Sequence, residues 1–160
     1  MIKYNPEIHN RHTIRLPEYD YSQKGMYYIT ICTYRKSCIF GFIKDSKAIL
    51  NQNGEIVKEE LMKTEKVRKA INIDAFVIMP NHVHVIFELL ENMTALPNII
   101  RGFKTFSSRR INNLRRQTGS PLWQRNYYEH IIRDEEDLMR VREYIVQNPL
   151  KWETDEYYAT

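Results

Sequence analysis

The chain contains little cysteine and no long apolar run, and these two absences limit the kinds of protein that it can be. Its 160 residues include only two cysteines, Cys32 and Cys38, which do not form a Cys-x-x-Cys pair. Such a chain supplies neither a disulfide framework nor a four-cysteine zinc site. No apolar stretch is long enough to cross a bilayer, and the first residues lack the apolar core of a signal peptide. We therefore expect a cytoplasmic protein with no membrane partner.

The composition is that of a small, mildly basic domain. Hydrophobic residues make up 42% of the chain, and 24 Lys and Arg face 20 Asp and Glu, which gives a formal net charge of +4. That balance favours a polyanionic partner. The length fits one domain. We expect an extended N-terminal arm at 1–24, a catalytic domain at 25–152 and a short tail at 153–160.

The apolar patterns predict strands mixed with helices. The strands are expected at 26–34, 71–79, 82–90 and 130–132, with a hairpin turn at Pro80-Asn81. The helices are expected at 55–69, from Thr94 or Asn98 to 116, and from an Asp134 cap to 148. This mixture predicts an α+β fold in which helices pack on one face of an antiparallel sheet.

A His-x-His pair is the strongest local motif. Side chains alternate faces along a strand, so His82 and His84 share one face and Val83 and Val85 the other. Two neutral imidazoles at this spacing can share a divalent metal. The same spacing also occurs on ordinary polar strand faces, so the motif needs a further element.

Tyr144 and Asn148 supply that element. They are four residues apart on a predicted helix and so share a face. This face adjoins the apolar stripe that packs on the sheet, which places both side chains toward the histidines. An amide oxygen can complete a site for a hard cation such as Mg²⁺ or Mn²⁺.

Five segments together resemble the HUH single-tyrosine transposases, and most closely the REP-associated tyrosine transposases. The segments are 28–33, 82–84, 122–125, 129–133 and 144–149, and they span most of the chain from about residue 25 to 152. Their order is more specific than the His-x-His pair alone.

The resemblance implies a ferredoxin-like sheet and a specific set of site residues. His82 and His84 match the family's metal-binding histidines, Tyr144 its nucleophile and Asn148 its third ligand, with Gln147 as a weaker candidate. The implied reaction is a transesterification on single-stranded or hairpin DNA through a 5′-phosphotyrosine. A tyrosine hydroxyl has a pKa near 10, so it needs a nearby cation to react at neutral pH.

Basic and aromatic residues predict a DNA-facing surface. Cations meet phosphates, and aromatic rings stack on unpaired bases. The candidate residues are Arg101, Lys104, Arg109, Arg110, Arg115, Trp123, Arg125, Tyr127, His130 and Arg133. Lys3, His9, Arg11, His12 and Arg15 of the arm extend this basic set. Each member has an ordinary alternative, since a charge row is usually a solvated helix face and Trp123 can equally pack in a core.

Three other functions remain open at this point. A non-enzymatic nucleic-acid-binding domain with an RRM-like sheet explains the surface but not the Tyr144 and His-x-His combination. A metal-dependent phosphodiesterase that uses water would not need the tyrosine. A domesticated transposase would keep cleavage without mobility. The resemblance leaves a monomer or a homodimer open, since relatives of the insertion-sequence type work as dimers and REP-associated members can act as monomers; we expect a monomer because the chain resembles the latter more.

Overall fold

The computed structural model describes residues 16–92 and 95–159. Its strands are β1 (Gly25–Cys32), β2 (Gly41–Lys44), β3 (Lys47–Leu50), β4 (Ile71–Met79), β5 (His82–Leu89) and β6 (Tyr128–Ile132). Its α-helices are α1 (Gln52–Lys66), α2 (Leu96–Arg115) and α3 (Glu135–Gln147). Short 3₁₀ helices lie at Tyr34–Lys36 and Trp152–Thr154. Within these ranges, no helix combines the length and apolarity that crossing a membrane requires.

Four strands form one antiparallel sheet in the order β4–β5–β1–β6, and β2 and β3 form a separate hairpin. β5 lies between β1 and β4, which is the strand arrangement of a ferredoxin-like fold. The prediction of an α+β fold with this antiparallel sheet is confirmed.

One face of the sheet packs on α1 and α2. Alternate residues of the two central strands, among them Ile29, Val83 and Val85, are fully buried there. Helix α1 contributes Leu61 and α2 contributes Phe103 to the same core. Apolar residues on one side of each element therefore close a single layer between helices and sheet.

The third helix lies on the opposite face. Leu138, Val141 and Ile145 of α3 form a second, smaller core with Tyr28 and Ile86. The expectation that all helices share one face thus holds for α1 and α2 and is corrected for α3. The reason is the two-sided character of the central strands, which carry buried side chains on both faces.

Helix α3 begins where the sequence predicts. The side chain of Asp134 accepts a hydrogen bond from the Asp137 backbone N–H at 2.8 Å, and three acidic residues occupy the first turn. Helix α2 instead begins after Ala95, without a side-chain cap, so Asn98 lies inside the helix. The other predicted cap, Thr94, lies outside the described residues.

An ion pair fastens α3 to the edge of the sheet. The guanidinium of Arg142 meets the carboxylate of Asp74 with two N–H groups, one of them at 2.9 Å. Asp74 sits at a register shift in β4, between Ile73 and Ala75. An extra residue in one strand bends it and re-aims a side chain, and here that side chain reaches α3.

Trp123 belongs to the core rather than to an exposed DNA-facing surface. Its ring is 7% exposed and packs against Phe40 and Phe103. Its Nε1–H donates to the Ser107 hydroxyl at 2.9 Å. The apolar ring of Trp123 is therefore packed in the core, and its single hydrogen-bond donor is satisfied there.

Trp123→Ala should lower the free energy of unfolding by about 3–5 kcal/mol, because it removes a large buried ring and leaves a cavity. Phe106→Ala on α2 is the control, since Phe106 is a large aromatic residue that is exposed, and its loss should cost less than about 0.5 kcal/mol. Chemical denaturation measures both. Equal stability of the two variants would contradict the core role.

Candidate active site

Two imidazoles meet on the α3 side of the sheet. Because β5 alternates, Val83 and Val85 enter the α1–α2 core while His82 and His84 point to the other side. Both histidines are fully buried. Their Nε2 atoms lie 3.0 Å apart. The strand thus presents two ring nitrogens at one point, as the sequence predicts.

Neighbouring polar groups orient each ring. The Oδ1 of Asn81 lies 2.7 Å from His82 Nδ1, while its amide nitrogen donates to the carbonyls of Lys36 and Tyr157. Since an amide oxygen only accepts, Nδ1 of His82 carries the proton. That tautomer leaves Nε2 with a free lone pair, the form in which histidine binds a metal.

The second imidazole has two hydroxyl partners. The hydroxyls of Tyr28 and Thr30 each lie 2.7 Å from His84 Nδ1. A proton on this Nδ1 donates to them and again leaves Nε2 as the free nitrogen.

Burial keeps both rings neutral at pH 7. It lowers the pKa of His82 to about 4, against a smaller opposing effect from the Asp155 carboxylate. It lowers the pKa of His84 well below the ordinary value, and His82 adds to that shift. Neutral imidazoles are the ligand form.

Helix α3 brings Tyr144 to the same point. Its ring centroid lies 5.3 Å from that of His84, and it meets the ring of Tyr28 edge-on at 6.3 Å. Burial raises the pKa of its hydroxyl, and the carboxylates of Asp155 and Glu156 raise it further. The Asn148 side chain opposes this by a hydrogen bond. The phenol is thus protonated at neutral pH.

Asn148 closes α3 beside the histidines. It is 2% exposed, and its amide nitrogen donates to Asp155 Oδ2 at 2.9 Å. Its Oδ1 is buried and makes no hydrogen bond within the described residues. An unpaired buried acceptor is costly, and a cation at this position would satisfy it. Gln147, the weaker candidate, instead bonds Glu143 at 2.6 Å.

The sequence gives no signal for the carboxylate that joins this cluster. Asp155 lies in the segment predicted as a short tail, yet single ligand atoms of His82, His84 and Asp155 all fall within 4.8 Å of one another. Folding after Trp152 brings this carboxylate back across the sheet, which no local spacing indicates. Two imidazole nitrogens with amide and carboxylate oxygens form a donor set that can hold a divalent metal.

The comparison with known families agrees with this geometry. A family model described as "Transposase IS200 like" matches residues 22–148, which include the histidine pair and Tyr144. The chain belongs to the IS200-like transposase family. Membership supports a DNA-binding, DNA-cleaving transposase in general.

Individual relatives extend this assignment. An uncharacterized protein of Haemophilus influenzae is 39% identical over 98% of both chains. A second H. influenzae protein, whose name assigns it to the REP-associated tyrosine transposases, is 28% identical over 82% of this chain and 74% of its own.

Solved structures share the fold. A REP-associated tyrosine transposase bound to a REP hairpin has a TM-score of 0.67 at 23% identity, covering 87% of this chain and 74% of that one. A Deinococcus radiodurans protein assigned as a transposase has a TM-score of 0.54 at 17% identity, covering 83% and 95%.

Three basic candidates of this transposase-family chain already have protein partners. Arg110 pairs with Glu59 and Glu60 of α1, at 2.6 and 2.8 Å. His130 pairs with Asp137 at 2.7 Å. The charge of Arg110 is partly neutralised and one ring nitrogen of His130 is already hydrogen-bonded, which weakens both residues as phosphate ligands.

Lys104 is the third and the most completely engaged. Its ammonium donates to the carbonyls of Gln124, Arg125 and Asn126 at 2.9, 3.2 and 3.3 Å. It also lies 5.4 Å from the centre of the Tyr127 ring. Burial lowers its pKa to about 8. All three N–H groups fix the loop before β6, so Lys104 shapes this loop rather than meeting a phosphate.

The remaining candidates divide by exposure. Those on the surface are Arg101, Arg109, Arg115, Arg125 and Arg133, whereas Tyr127 is half-buried beside Lys104. The arm residues Lys3, His9, Arg11, His12 and Arg15 lie outside the described residues.

Lys104→Met should weaken DNA binding by loosening the loop while leaving its salt dependence unchanged. Loss of a phosphate contact reduces the slope of log K against log salt by about one, whereas loss of a positioning residue does not. The measurement is a salt titration of affinity for a hairpin oligonucleotide.

Lys63→Met is the charge-matched control, because Lys63 is exposed on α1, away from the loop. It should retain affinity. A slope reduced by about one in Lys104→Met alone would show a phosphate contact and contradict the positioning role.

Proposed function

We propose that this chain cleaves and rejoins single-stranded DNA near hairpins, with Tyr144 as the nucleophile and Mg²⁺ or Mn²⁺ as the cofactor. One observation carries this proposal. The ring of the helical tyrosine lies 5.3 Å from the ring of His84, within the cluster where the Nε2 atoms of His82 and His84 lie 3.0 Å apart. A water-using phosphodiesterase would not need a tyrosine at that point.

The metal would be held by His82 and His84 with an oxygen from Asn148, from Asp155 or from both. The unpaired Oδ1 of Asn148 and the nearby Asp155 carboxylate support this ligand set. When bound, the ion offsets charge on the phosphate oxygens and favours the phenolate. Asn81 holds His82 in the tautomer that ligation requires, and the hydroxyls of Tyr28 and Thr30 can accept from His84 Nδ1 in the corresponding tautomer.

The reaction exchanges one phosphoester for another. The Tyr144 oxygen attacks the phosphorus and forms the new P–O bond, and its proton passes to solvent water. The bond from phosphorus to the DNA 3′-oxygen breaks, and that oxygen takes up a proton to leave as a 3′-hydroxyl. The 5′-phosphotyrosine keeps the energy of the phosphodiester, so a second 3′-hydroxyl can reverse the exchange and rejoin a strand.

The DNA would cross the β6 edge of the sheet, with exposed arginines of α2 and of the segments flanking β6 on one side of that edge and Tyr144 on the other. Arg101, Arg125 and Arg133 supply phosphate contacts, and Tyr127 adds an aromatic surface. A solved structural neighbour is bound to a REP hairpin, which supports hairpin DNA as the partner. We propose that the chain acts as a monomer in the cytoplasm, with residues 1–24 as an arm, 25–152 as the main part of the catalytic domain and 153–160 as a short tail that adds Asp155 to the site.

Tyr144→Phe should abolish the covalent adduct with DNA while leaving the fold intact, because it removes only the hydroxyl. The protein is incubated with Mn²⁺ and hairpin oligonucleotides from its genomic flanks that carry a label at the 3′ end, the end that stays on the protein-linked fragment, and protein-linked label is read on a denaturing gel. Wild-type adduct should disappear with a chelator.

Tyr158→Phe is the matched control, since Tyr158 is an exposed tyrosine packed on Trp152. It should form adduct as the wild type does. Cleavage that persists in Tyr144→Phe would replace the proposal by a water-using phosphodiesterase.

His84→Gln and Asp155→Asn should each weaken Mn²⁺ binding at least about tenfold, the loss that even outer-shell partners of metal ligands produce. Calorimetry with the metal alone measures this without DNA. Glu153→Gln is the control, because its exposed carboxylate lies outside the cluster. Unchanged Mn²⁺ affinity in His84→Gln would remove the metal site from the proposal.

A further inference from the structure

We propose that a cavity beside Tyr144 binds the unpaired base of the nucleotide next to the scissile phosphate. This inference rests on the proposed function and adds a base-binding subsite to it. The cavity has a volume of about 360 Å³ and lies between β1, β6, α3 and the segment after Trp152. Four of its eight lining residues are tyrosines: Tyr28, Tyr128, Tyr144 and Tyr157. Clefts that bind small ligands begin near this size, at roughly 300 Å³.

The buried members of this tyrosine cavity are held in place. Tyr28 is 8% exposed, and its hydroxyl lies 2.7 Å from the His84 ring. The Tyr28 ring meets Tyr128 edge-on at 6.1 Å and Tyr144 at 6.3 Å. On the far side, the carbonyl of Tyr157 accepts a hydrogen bond from Asn81. The cavity is therefore preorganised by the same contacts that orient the histidines.

Tyr128 supplies an accessible ring. It lies on β6, at the edge of the sheet, and remains 49% exposed. A half-exposed aromatic ring on a rigid strand is a suitable platform for an unpaired base, since every base has a π-face. Because Tyr144 forms another wall of the cavity, a base that enters belongs to a nucleotide adjoining the reacting phosphate.

Two charges on the rim orient that nucleotide. The Arg140 guanidinium donates to Asp137 at 2.7 Å, and His130 holds the other carboxylate oxygen. One guanidinium carries five N–H donors, so others can meet a DNA phosphate. Glu156 lines the same cavity and repels phosphate, but its carboxylate can accept hydrogen bonds from the N–H groups of a base. The base therefore points inward, with its phosphate on the Arg140 side.

The test couples an abasic site in the DNA to a substitution in the protein. Hairpin oligonucleotides carry single-stranded flanks from the DNA around the gene, and one base at a time is removed along each flank. Affinity is measured by fluorescence anisotropy in a chelator, so that no cleavage occurs. At one position, removal should weaken wild-type binding roughly five- to hundredfold. The same removal should change the affinity of Tyr128→Ala less than about twofold, because its stacking partner is already absent.

Two further variants separate stacking from general effects. Tyr128→Phe keeps the ring and should follow the wild type at every position. Tyr34→Ala removes a similarly exposed tyrosine that does not line the cavity and should show the full wild-type loss. If Tyr128→Ala does not fold, Tyr128→Leu keeps the apolar bulk without the ring and replaces it.

The outcomes distinguish this subsite from the proposed function. If removal of a base lowers the affinity of wild type and Tyr128→Ala by the same factor at every position, the base-binding subsite is overturned. Adduct formation by the wild type would in that case still support the proposed function. If the effect of base removal depends on the Tyr128 ring at one position but no protein–DNA adduct forms, the base-binding subsite is supported and the covalent reaction is overturned. Wild-type protein without measurable affinity for any flank overturns both.

Discussion

Antiparallel pairing of β5 with β1 is the constraint on which the site depends. In this register Thr30 lies opposite His84 and Cys32 opposite His82. Since side chains alternate along both strands, one face of the pair is apolar and joins the α1–α2 core, while the other collects imidazoles and hydroxyls. A slip by one residue would exchange the two faces and bury both histidines among aliphatic side chains. The register therefore specifies the core and the chemistry together.

The polar face becomes a site only because α3 covers it. Burial beneath α3 and the segment after Trp152 lowers the pKa of both imidazoles, so they stay neutral at pH values where an exposed histidine would be protonated. The same cover carries Tyr144, Asn148 and Asp155 to the histidines. Desolvation also raises the pKa of Tyr144, so the same burial that keeps the imidazoles neutral disfavours the free phenolate. A cation between them would reconcile these two effects.

The parts predicted from sequence are those set by local rules. Alternation along 82–85, the Asp134 cap and the shared helical face of Tyr144 and Asn148 each depend on neighbours within four residues, and the structure places them as expected. The roles of these side chains in catalysis stay predictions. The positions that could not be predicted depend on distant contacts. Asp155 returns to the cluster from beyond α3, and Lys104 is occupied by carbonyls about twenty residues away. The charge of Lys104 and the aromatic ring of Trp123 predict a role at the DNA-binding surface. Neither property indicates whether the side chain is already bonded to, or packed against, other residues of the protein.

The irregularity in β4 has a consequence for how the chain tolerates change. The extra residue at Asp74 interrupts the ladder of an edge strand, and Arg142 uses it to anchor α3. Deletion of this residue would make the pairing of β4 with β5 more regular and would leave the sheet itself intact. It would also release the helix that carries Tyr144, so this side chain would lose its fixed position beside the histidines. An irregularity at the edge of the sheet thus fixes the position of a tyrosine on the opposite side of α3's anchor.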